Sequence, residues 1–296
     1  MNNTIIDNTY AEAFPAKLSE ILITAETKEL ALIAAQTATG YATSFIGCPA
    51  EAGIDQFIPE NETPDNRPGY SIIICQTTTK KLENQLLERI GQCILTAPTT
   101  AVYNLLPESE TQTNTGFKLK FFADGYETKE TINNRTMFKI PIMSGDFIIE
   151  ENIGIIDAIA GGNLFIEANT QKQALKGAQN AINAIKKVPG AITPFPGGIV
   201  ASGSKIGSQK YSFMNATTNH QFCPTLKDTI NDSKLGKDIN GIYEIVINAK
   251  DMETIKKATK EAILNASKVE GVQIISAGNY GGKLGKYHIH LEELFE

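Results

Sequence analysis

The sequence predicts an α+β fold made of two similar lobes. Two observations support this prediction: apolar strands and amphipathic helices follow one another in a fixed order, and the second half of the chain repeats that order. Each half reads strand–helix–strand–strand–helix–strand, the βαββαβ order of a ferredoxin-like unit, in which two helices pack on one face of an antiparallel sheet. We place the N-terminal lobe at residues 1–148 and the C-terminal lobe at residues 149–296, each with insertions.

The first copy of the repeat begins at residue 19. Its strands are short apolar runs bounded by turn residues, and its helices carry apolar side chains at intervals of three and four. The predicted strands are 19–25, Tyr41–Cys48 and Tyr70–Cys75, and the predicted helices are 29–40 and 79–95. Beyond Pro98, the segments Lys118–Phe122 and Thr136–Met143 are predicted to pair as a β-hairpin.

The second copy contains the most regular helix pattern of the chain. Residues 170–187 place Ala174, Ala178, Ala181, Ile182 and Ile185 on one face, which predicts a buried stripe. A second helix begins after Asp251, a residue type that caps helix N-termini. The predicted strands of this copy are 163–168, 243–248 and 272–277. An insertion of roughly 30 residues precedes the second of these strands, by comparison with the first copy.

Composition excludes several classes of protein. The chain has 296 residues, of which 42% are hydrophobic and 20% charged, and its net charge is −6. These values are typical of a globular protein and do not indicate nucleic-acid binding. We expect no membrane-spanning helix and no secretory signal. The four scattered cysteines lack metal-site spacing, so we expect no zinc or iron–sulfur site and a cytoplasmic location.

The segment 193–205 follows the long helix of the second copy and is rich in proline and glycine. Two glycines allow the backbone to approach a ligand closely, and the residues after them offer hydroxyls and one cation. An ordinary strand entered through a tight loop is the alternative. As substrate-binding candidates we select Phe195, Gly197, Gly198, Ser202 and Lys205.

Glu244 is the most informative single residue, because it lies within the apolar strand YEIVIN. Its side chain points either to solvent or into a cleft. Burial without a charge partner raises the pKa of a carboxyl group, which makes the group a usable proton carrier near neutral pH. We therefore select Glu244 as the candidate catalytic residue.

Cys48, Glu51 and Asp55 lie in what the pattern indicates is a loop of the first copy. Paired acids suit proton transfer or hydrogen bonding to an amino-bearing ring, although solvated loop charges are the common alternative. We select all three as substrate-binding candidates. Cys48 and Cys223 each precede a proline, but neither has a strong histidine partner, so a cysteine nucleophile is disfavoured.

The segment 277–286 is a glycine-rich turn with two lysines. It can form a backbone anion nest or a plain hairpin, and we select Asn279 and Lys283 as substrate-binding candidates. His288 and His290 alternate along a short strand, where two imidazoles can share a metal. No third ligand lies near them in sequence, so we predict no metal site.

Taken together, several motifs resemble the formylmethanofuran:tetrahydromethanopterin formyltransferase family. The motifs are AEAFPAKLSEILITA, GCPAEAGID, ERIGQCILTAPT, FFADGY, AGGN, PFPGGIVAS, YEIVIN and SAGNYGGKLG. The resemblance covers essentially the whole chain. It implies a cytoplasmic enzyme that moves a formyl group from formylmethanofuran to N5 of tetrahydromethanopterin. It also implies two ferredoxin-like lobes, assembly into dimers and tetramers, and an acid/base role for the YEIVIN glutamate, which is Glu244.

The resemblance implies that no metal or prosthetic group is permanently bound and that methanofuran and tetrahydromethanopterin act as cosubstrates. The formamide carbon would be attacked directly by the pterin amine in a ternary complex, which needs aligned carriers, an oxyanion donor and a proton shuttle. Two alternatives stay open. One is a formyltransferase subunit of a formyltransferase/hydrolase complex, and the other is a non-catalytic ligand-binding sensor.

Overall fold

The computed structural model describes residues 4–132 and 134–296. The chain divides into two compact units. One unit is Ala16–Ala158, and the other combines the residues up to Pro15 with Ile159–Glu296. We call them the middle unit and the terminal unit.

Strands and short helices alternate along the whole chain. In chain order the strands are β1 (Ile5–Ile6), β2 (Tyr10–Thr24), β3 (Glu51–Ile58), β4 (Gly69–Gln76), β5 (Ala101–Asn104), β6 (Thr111–Thr113), β7 (Thr128–Ile132), β8 (Arg135–Ile142), β9 (Gly145–Glu150), β10 (Ile153–Ala168), β11 (Ala191–Ile192), β12 (Lys205–Ile206), β13 (Ala216–Thr217), β14 (Gly241–Ala249), β15 (Val272–Ser276) and β16 (Tyr287–His290). The α-helices are α1 (Lys28–Thr39), α2 (Thr79–Arg89), α3 (Thr115–Leu119), α4 (Gln171–Ile185) and α5 (Met252–Ala266).

The middle unit contains an antiparallel sheet in the order β3–β4–β2–β5. Its core consists of apolar side chains from the strands and from α1 and α2, including the fully buried Ile72, Ile74, Leu82 and Leu86. Strand β9 pairs in parallel with β5, and β8 and β7 extend the sheet beyond it. Strand β2, the first strand of this repeat, thus lies between its third strand, β4, and its fourth strand, β5.

The terminal unit repeats this strand order as β11–β14–β10–β15. Helices α4 and α5 pack together, and the predicted stripe of α4 is buried. Along β10, Leu164 and Ile166 belong to the core that these helices share. Because strand side chains alternate, Asn163, Phe165 and Glu167 lie on the opposite face of the sheet.

The helices begin where capping residues predict. The side-chain oxygen of Asp251 accepts a hydrogen bond from the backbone N–H of Thr254 at 2.7 Å, which confirms the predicted cap of α5. Thr27 and Thr170 cap α1 and α4 in the same way. Each cap pairs one of the backbone donors that a helix start leaves unsatisfied.

Two predicted strands are wrong. Residues 41–48 form turns instead, because the backbone N–H groups of Gly47 and Cys48 both donate to the carbonyl of Ser44 and Tyr41 has a φ of 48°. The strand begins later, at Glu51. Residues 118–122 are helical and not part of a hairpin, since α3 continues into a 3₁₀ turn at Lys120–Ala123.

The mixed α+β class is confirmed. Within the described residues, no helix is both long enough and apolar enough to cross a membrane.

Candidate functional site

Glu244 lies in the middle of β14, in the terminal unit. On one side its backbone pairs in register with Phe165 of β10. On the other side it forms an isolated antiparallel bridge with Val200, in which the N–H of Val200 donates to the carbonyl of Glu244 at 2.7 Å. The 193–205 segment therefore runs alongside the strand that carries the candidate catalytic residue.

A cavity of about 170 Å³ opens beside this carboxyl group. Its walls come from β10, from β14 and from the insertion between β11 and β14. The lining residues are Phe165, Val200, Ala201, Ser202, Gly203, Asn219, Phe222, Cys223, Pro224, Thr225, Ile242 and Glu244. The cavity therefore combines one carboxyl group, two hydroxyls, a thiol, an amide and two aromatic rings.

The Glu244 carboxyl is half-buried and has one side-chain partner among the described residues. The amide nitrogen Nδ2 of Asn163 donates to its Oε1 at 2.8 Å. Burial raises the pKa of Glu244 above its ordinary value, and the hydrogen bond from Asn163 opposes that rise. Of the two alternatives, solvent or a cleft, the structure places this carboxyl group, with its raised pKa, at the edge of a cavity.

Aromatic side chains form one wall of the cavity. The rings of Phe165 and Phe222 have their centroids 4.6 Å apart, and the ammonium of Lys234 lies 5.5 Å from the Phe222 ring. Such a wall can support a planar ring of a ligand by stacking. Sequence reasoning missed Phe165, Phe222 and Asn219, because two of them lie in a polar insertion without periodicity.

The glycine-rich loop 278–285 surrounds a buried carboxylate that the sequence reading also missed. Glu12 is 2% exposed, and its two carboxyl oxygens accept backbone hydrogen bonds from Tyr280, Gly282, Leu284 and Gly285. Burial alone raises the pKa of Glu12, but the four donors outweigh it and hold that pKa below its ordinary value. Of the two alternatives for this segment, the structure shows the anion nest, and its anion is a side chain of the protein itself.

The residues selected in 193–205 have different surroundings. Ser202 is exposed and lines the cavity, whereas Lys205 pairs its ammonium with the hydroxyl of Thr217 at 2.5 Å.

The two glycines of this segment form a turn. Gly198 has a φ of 81°, and a Cβ there would lie 2.6 Å from the Cδ1 of Ile182. Gly197 has a φ of 64° with open space around it, and Phe195 is half-buried. The two glycines thus serve a turn that only glycine adopts easily.

Cys48, Glu51 and Asp55 belong to the middle unit. Cys48 lies in a turn, but the predicted loop is wrong for Glu51 and Asp55. Glu51 and Asp55 lie in β3 and are only 6% and 8% exposed, so the solvated alternative is wrong as well. Glu51 accepts a hydrogen bond from the backbone of Phe45 at 3.0 Å. Burial raises the pKa of the Cys48 thiol, but hydrogen bonds with Thr43 and the 43–44 backbone, together with a nearby arginine, lower it overall.

The remaining candidates lie near the glycine-rich loop. Asn279 holds the loop in place, since its Nδ2 donates to the hydroxyl of Thr9 and to the carbonyl of Tyr10, each at 3.2 Å. Lys283 is exposed. His288 and His290 both lie against the ring of Tyr10, so they share one face of β16 as predicted. In the described parts of the chain, no group of three or more His, Cys, Asp or Glu residues is arranged to hold a metal ion.

Comparisons with known proteins agree with these motifs. A family model described as formylmethanofuran-tetrahydromethanopterin formyltransferase matches residues 1–142, and a model of the proximal lobe of the same family matches residues 145–294. A formylmethanofuran–tetrahydromethanopterin formyltransferase from Methanothermus fervidus is 59% identical over 295 residues, which covers 100% of this chain and 99% of the relative.

Two solved structures are similar over the full length. The formyltransferase of Methanosarcina barkeri superposes with a TM-score of 0.97 at 58% identity, covering 100% of this chain and 99% of that one. The formyltransferase/hydrolase complex of Methylorubrum extorquens, solved with methylofuran, has a chain that matches with a TM-score of 0.96 at 40% identity, covering 100% and 98%. The resemblance found in the sequence is confirmed, and the chain belongs to the formylmethanofuran–tetrahydromethanopterin formyltransferase family.

Proposed function

We propose that this protein transfers a formyl group from formylmethanofuran to N5 of tetrahydromethanopterin, with both carriers bound at once. The family and the names of the similar proteins support the reaction. The observation that carries the proposal is the half-buried carboxyl of Glu244 at the cavity, with its raised pKa. Methanofuran and tetrahydromethanopterin serve as cosubstrates, and the reaction uses no permanently bound metal or prosthetic group.

In the proposed mechanism, the N5 amine of the pterin attacks the formamide carbon of formylmethanofuran. A C–N bond forms and the carbonyl becomes an oxyanion, which a nearby donor stabilises. The ionised Glu244 takes the proton from the attacking amine. The carboxylic acid then returns that proton to the methanofuran nitrogen as its C–N bond breaks, so the enzyme ends in its starting state.

The cavity lining offers donors for the oxyanion. Ser202 and Asn219 contribute a hydroxyl and an amide on the same cavity as Glu244. Four N–H groups of the glycine-rich loop are already used by Glu12, so we assign the oxyanion to side-chain donors. Substrate binding by the other candidates stays a prediction, and Lys205 and Lys283 are the cations we expect near the anionic groups of the carriers.

The architecture supports a duplication. In both units, the four strands of the repeat, numbered along the chain, lie side by side in the order second, third, first, fourth. One helix follows the first of these strands along the chain, and another follows the third. We interpret this order as two ferredoxin-like lobes, with the duplication boundary near residue 148. We also propose a homo-oligomer in the cytoplasm. The cytoplasmic location agrees with the four cysteines of the described residues, none of which forms a disulfide.

A second candidate function is favoured by one comparison. The chain in the Methylorubrum extorquens formyltransferase/hydrolase complex is 40% identical to this one with a TM-score of 0.96. This chain would then act as the formyltransferase subunit of a larger assembly. Tagged protein purified from its own cells would then bring hydrolase subunits with it, whereas a self-contained enzyme would purify alone. A non-catalytic sensor is disfavoured, since a sensor does not need a carboxyl of raised pKa in its cavity.

The direct test is a spectrophotometric assay of the purified protein with both carriers. We expect 5-formyl-tetrahydromethanopterin to form only when formylmethanofuran and tetrahydromethanopterin are present together. Heat-unfolded protein is the control for the uncatalysed reaction. Absence of product above that control, with folded protein and both carriers, would exclude the proposed activity.

A further inference from the structure

The amide of Asn163 is held at both of its ends. Its Oδ1 accepts a hydrogen bond from the backbone N–H of Gly278 at 3.0 Å, and its Nδ2 donates to Oε1 of Glu244 at 2.8 Å. A backbone N–H can only donate, so the carbonyl end of the amide must face Gly278. The end that faces Glu244 is therefore the NH₂ group, which can donate to the carboxyl but cannot accept from it.

Gly278 is itself fixed, because the loop that follows it is anchored. Its carbonyl accepts from the N–H of Glu12, and the Glu12 carboxylate collects four backbone donors from residues 280–285. There is also no room for a side chain at this position, since a Cβ on Gly278 would lie 2.8 Å from the Nδ2 of Asn163. The N–H that orients the Asn163 amide thus belongs to a rigid part of the backbone.

We propose that Asn163 is a positioning residue for Glu244: it orients the carboxyl at the cavity and favours its ionised form, so that the group can both take and release a proton. The proposal rests on the proposed function, in which Glu244 carries the proton. Asn163 exchanges no proton with its partner. It contributes a fixed donor, which stabilises a carboxylate more than a neutral acid.

Several titratable groups lie on the segments near Glu244 and have to be considered with it. On β10, Glu167 lies two residues beyond Phe165 on the same face of the sheet. The insertion contributes Cys223 to the cavity and Lys234 against the Phe222 ring, and Lys205 follows the strand partner Val200.

The glycine-rich loop contributes two more titratable groups, Tyr280 and Lys283. Of these, Tyr280 is electrostatically coupled to Glu244: burial first, and then the charges of Glu244 and Glu12, raise the pKa of Tyr280.

In the surroundings just described, Asn163 is the group that donates to the Glu244 carboxyl. Burial raises the pKa of Glu244, and removing this donor leaves that effect unopposed. Replacing the donor with a carboxylate raises the pKa of Glu244 further, because two like charges repel each other. The proton affinity of Glu244 should therefore rise in the order parent, Asn163→Leu, Asn163→Asp. A side chain with a purely structural role would not produce this order, because Asp keeps the shape of Asn and still accepts from Gly278.

The test is an infrared pH titration of the protonated carboxyl band. Each spectrum is subtracted from that of the same protein carrying Glu244→Gln, which isolates the signal of Glu244. We expect the midpoint to rise by about one pH unit in Asn163→Leu and further in Asn163→Asp, where the two carboxyls titrate as a pair. The control is Asn265→Leu, because Asn265 lies on α5 and bonds to Glu261 and Lys268. Its midpoint should equal that of the parent.

Equal midpoints in the parent and both Asn163 variants would overturn the proposal. Asn163→Asp keeps the test decisive if Asn163→Leu does not fold, since Asp retains the acceptor for Gly278. The titration needs no turnover. A fully active Glu244→Gln enzyme would therefore refute the proton-carrier role, while the ordered midpoints would still show that Asn163 controls this carboxyl. The turnover of both variants should also reach its half-maximal value at the shifted pH.

Discussion

Three carboxyl groups of the terminal unit show how strongly surroundings decide the state of one residue type. Glu12 is buried but receives four backbone donors, which hold its pKa down. Glu244 receives one donor, from Asn163, and burial raises its pKa. Glu167 is 3% exposed, and burial together with the charge of Asp7 raises its pKa to about 7. The four backbone donors separate Glu12 from the other two carboxyl groups, whose pKa values are raised.

The first prediction concerns Glu167, which is placed two residues from the cavity-lining Phe165 on β10. A folded-state pKa above the ordinary value means that the folded protein binds the proton more tightly than the unfolded chain. This contribution to stability is complete below about pH 4.5 and is lost as the pH rises through about 7. Because each pKa unit corresponds to about 1.4 kcal/mol, the free energy of unfolding should fall by roughly 3.5 kcal/mol across this range.

Urea unfolding of the parent and of Glu167→Gln between pH 4.5 and 8 measures this effect. The free energy of unfolding of the parent should decline relative to that of the variant across this range. Glu167→Gln has no carboxyl group to ionise at this position, so its free energy of unfolding should not show this decline with pH. Parallel curves would show that Glu167 titrates normally in the folded protein.

The second prediction concerns the cysteines. Cys223 lines the cavity, but its thiol donates to the carbonyl of Asn219 at 3.4 Å, while the nearby His220 pairs with Asp232 at 3.1 Å. Replacing Cys48 or Cys223 with Ala or Ser should leave turnover within a few-fold of the parent. A loss of about a thousandfold, measured in the formyl-transfer assay, would indicate a covalent intermediate and contradict direct transfer.

At the scale of elements, the long helices were predictable, whereas short helical and irregular segments were not. The periodicity of α4 and the Asp251 cap of α5 are local signals, and the structure confirms both. The 118–122 segment alternates lysine with apolar residues like a strand, yet it forms a helical turn. In β3, Gly53 and the acids Glu51 and Asp55 interrupt the apolar pattern, so the strand was predicted too early in the chain.

The glycine-rich loop could not be understood from the sequence. Its anion is supplied by Glu12, which is about 270 residues away along the chain. Nothing local at either position indicates the other, since the interaction depends on β16 pairing with the start of β2. The sequence allowed a backbone nest or a plain hairpin, and it gave no indication of the anion.

The third prediction is that Glu12 stabilises this loop as a carboxylate. In Glu12→Gln, one carboxyl oxygen becomes an NH₂ group that faces backbone donors, so the free energy of unfolding should fall by roughly 2–4 kcal/mol at neutral pH. Because the pKa of Glu12 lies below 4.5, the stabilisation is present above that pH and is lost as the pH falls further.

Urea unfolding at pH 7 and at successively lower pH compares the two proteins, and Glu292→Gln, at an exposed site, is the matched control. The gap between parent and Glu12→Gln should narrow below about pH 4.5. Hydrogen exchange at Tyr280, Gly282 and Leu284 should accelerate in Glu12→Gln alone. An unchanged exchange rate at these amides would mean that the loop is held by other contacts.

At the scale of the whole molecule, the internal repeat was visible in the sequence and the same strand order recurs in both units. The order of the strands along the chain could be predicted, because each strand is marked by a short apolar run. Which side chains surround a cavity depends on long-range pairing. Glu244 was found because a carboxylate in an apolar strand is unusual, whereas nothing in the AGGN motif that ends at Asn163 indicates that its amide contacts Glu244.

The fourth prediction is that the protein forms a symmetric oligomer. The middle unit exposes neighbouring aromatic side chains, with Phe121, Phe122 and Tyr126 at 62%, 66% and 77% of their full exposure. Apolar surface of this kind is typical of subunit contacts. Sedimentation at micromolar concentration should show a species larger than the single 32.1 kDa chain. Replacing the three residues with Ser should raise the monomer fraction, and a monomeric parent would contradict the prediction.

The most direct test of the central claim is the turnover of Glu244→Gln, with Glu292→Gln as the control. Gln keeps the size of the side chain and a carbonyl oxygen that can accept from Asn163, but it cannot transfer a proton. We predict that turnover falls by roughly a hundred- to ten-thousandfold, with little change in carrier binding, while the control keeps parental turnover. Near-parental turnover of Glu244→Gln with an unchanged pH profile would show that the carboxyl is structural and would contradict the proposed mechanism.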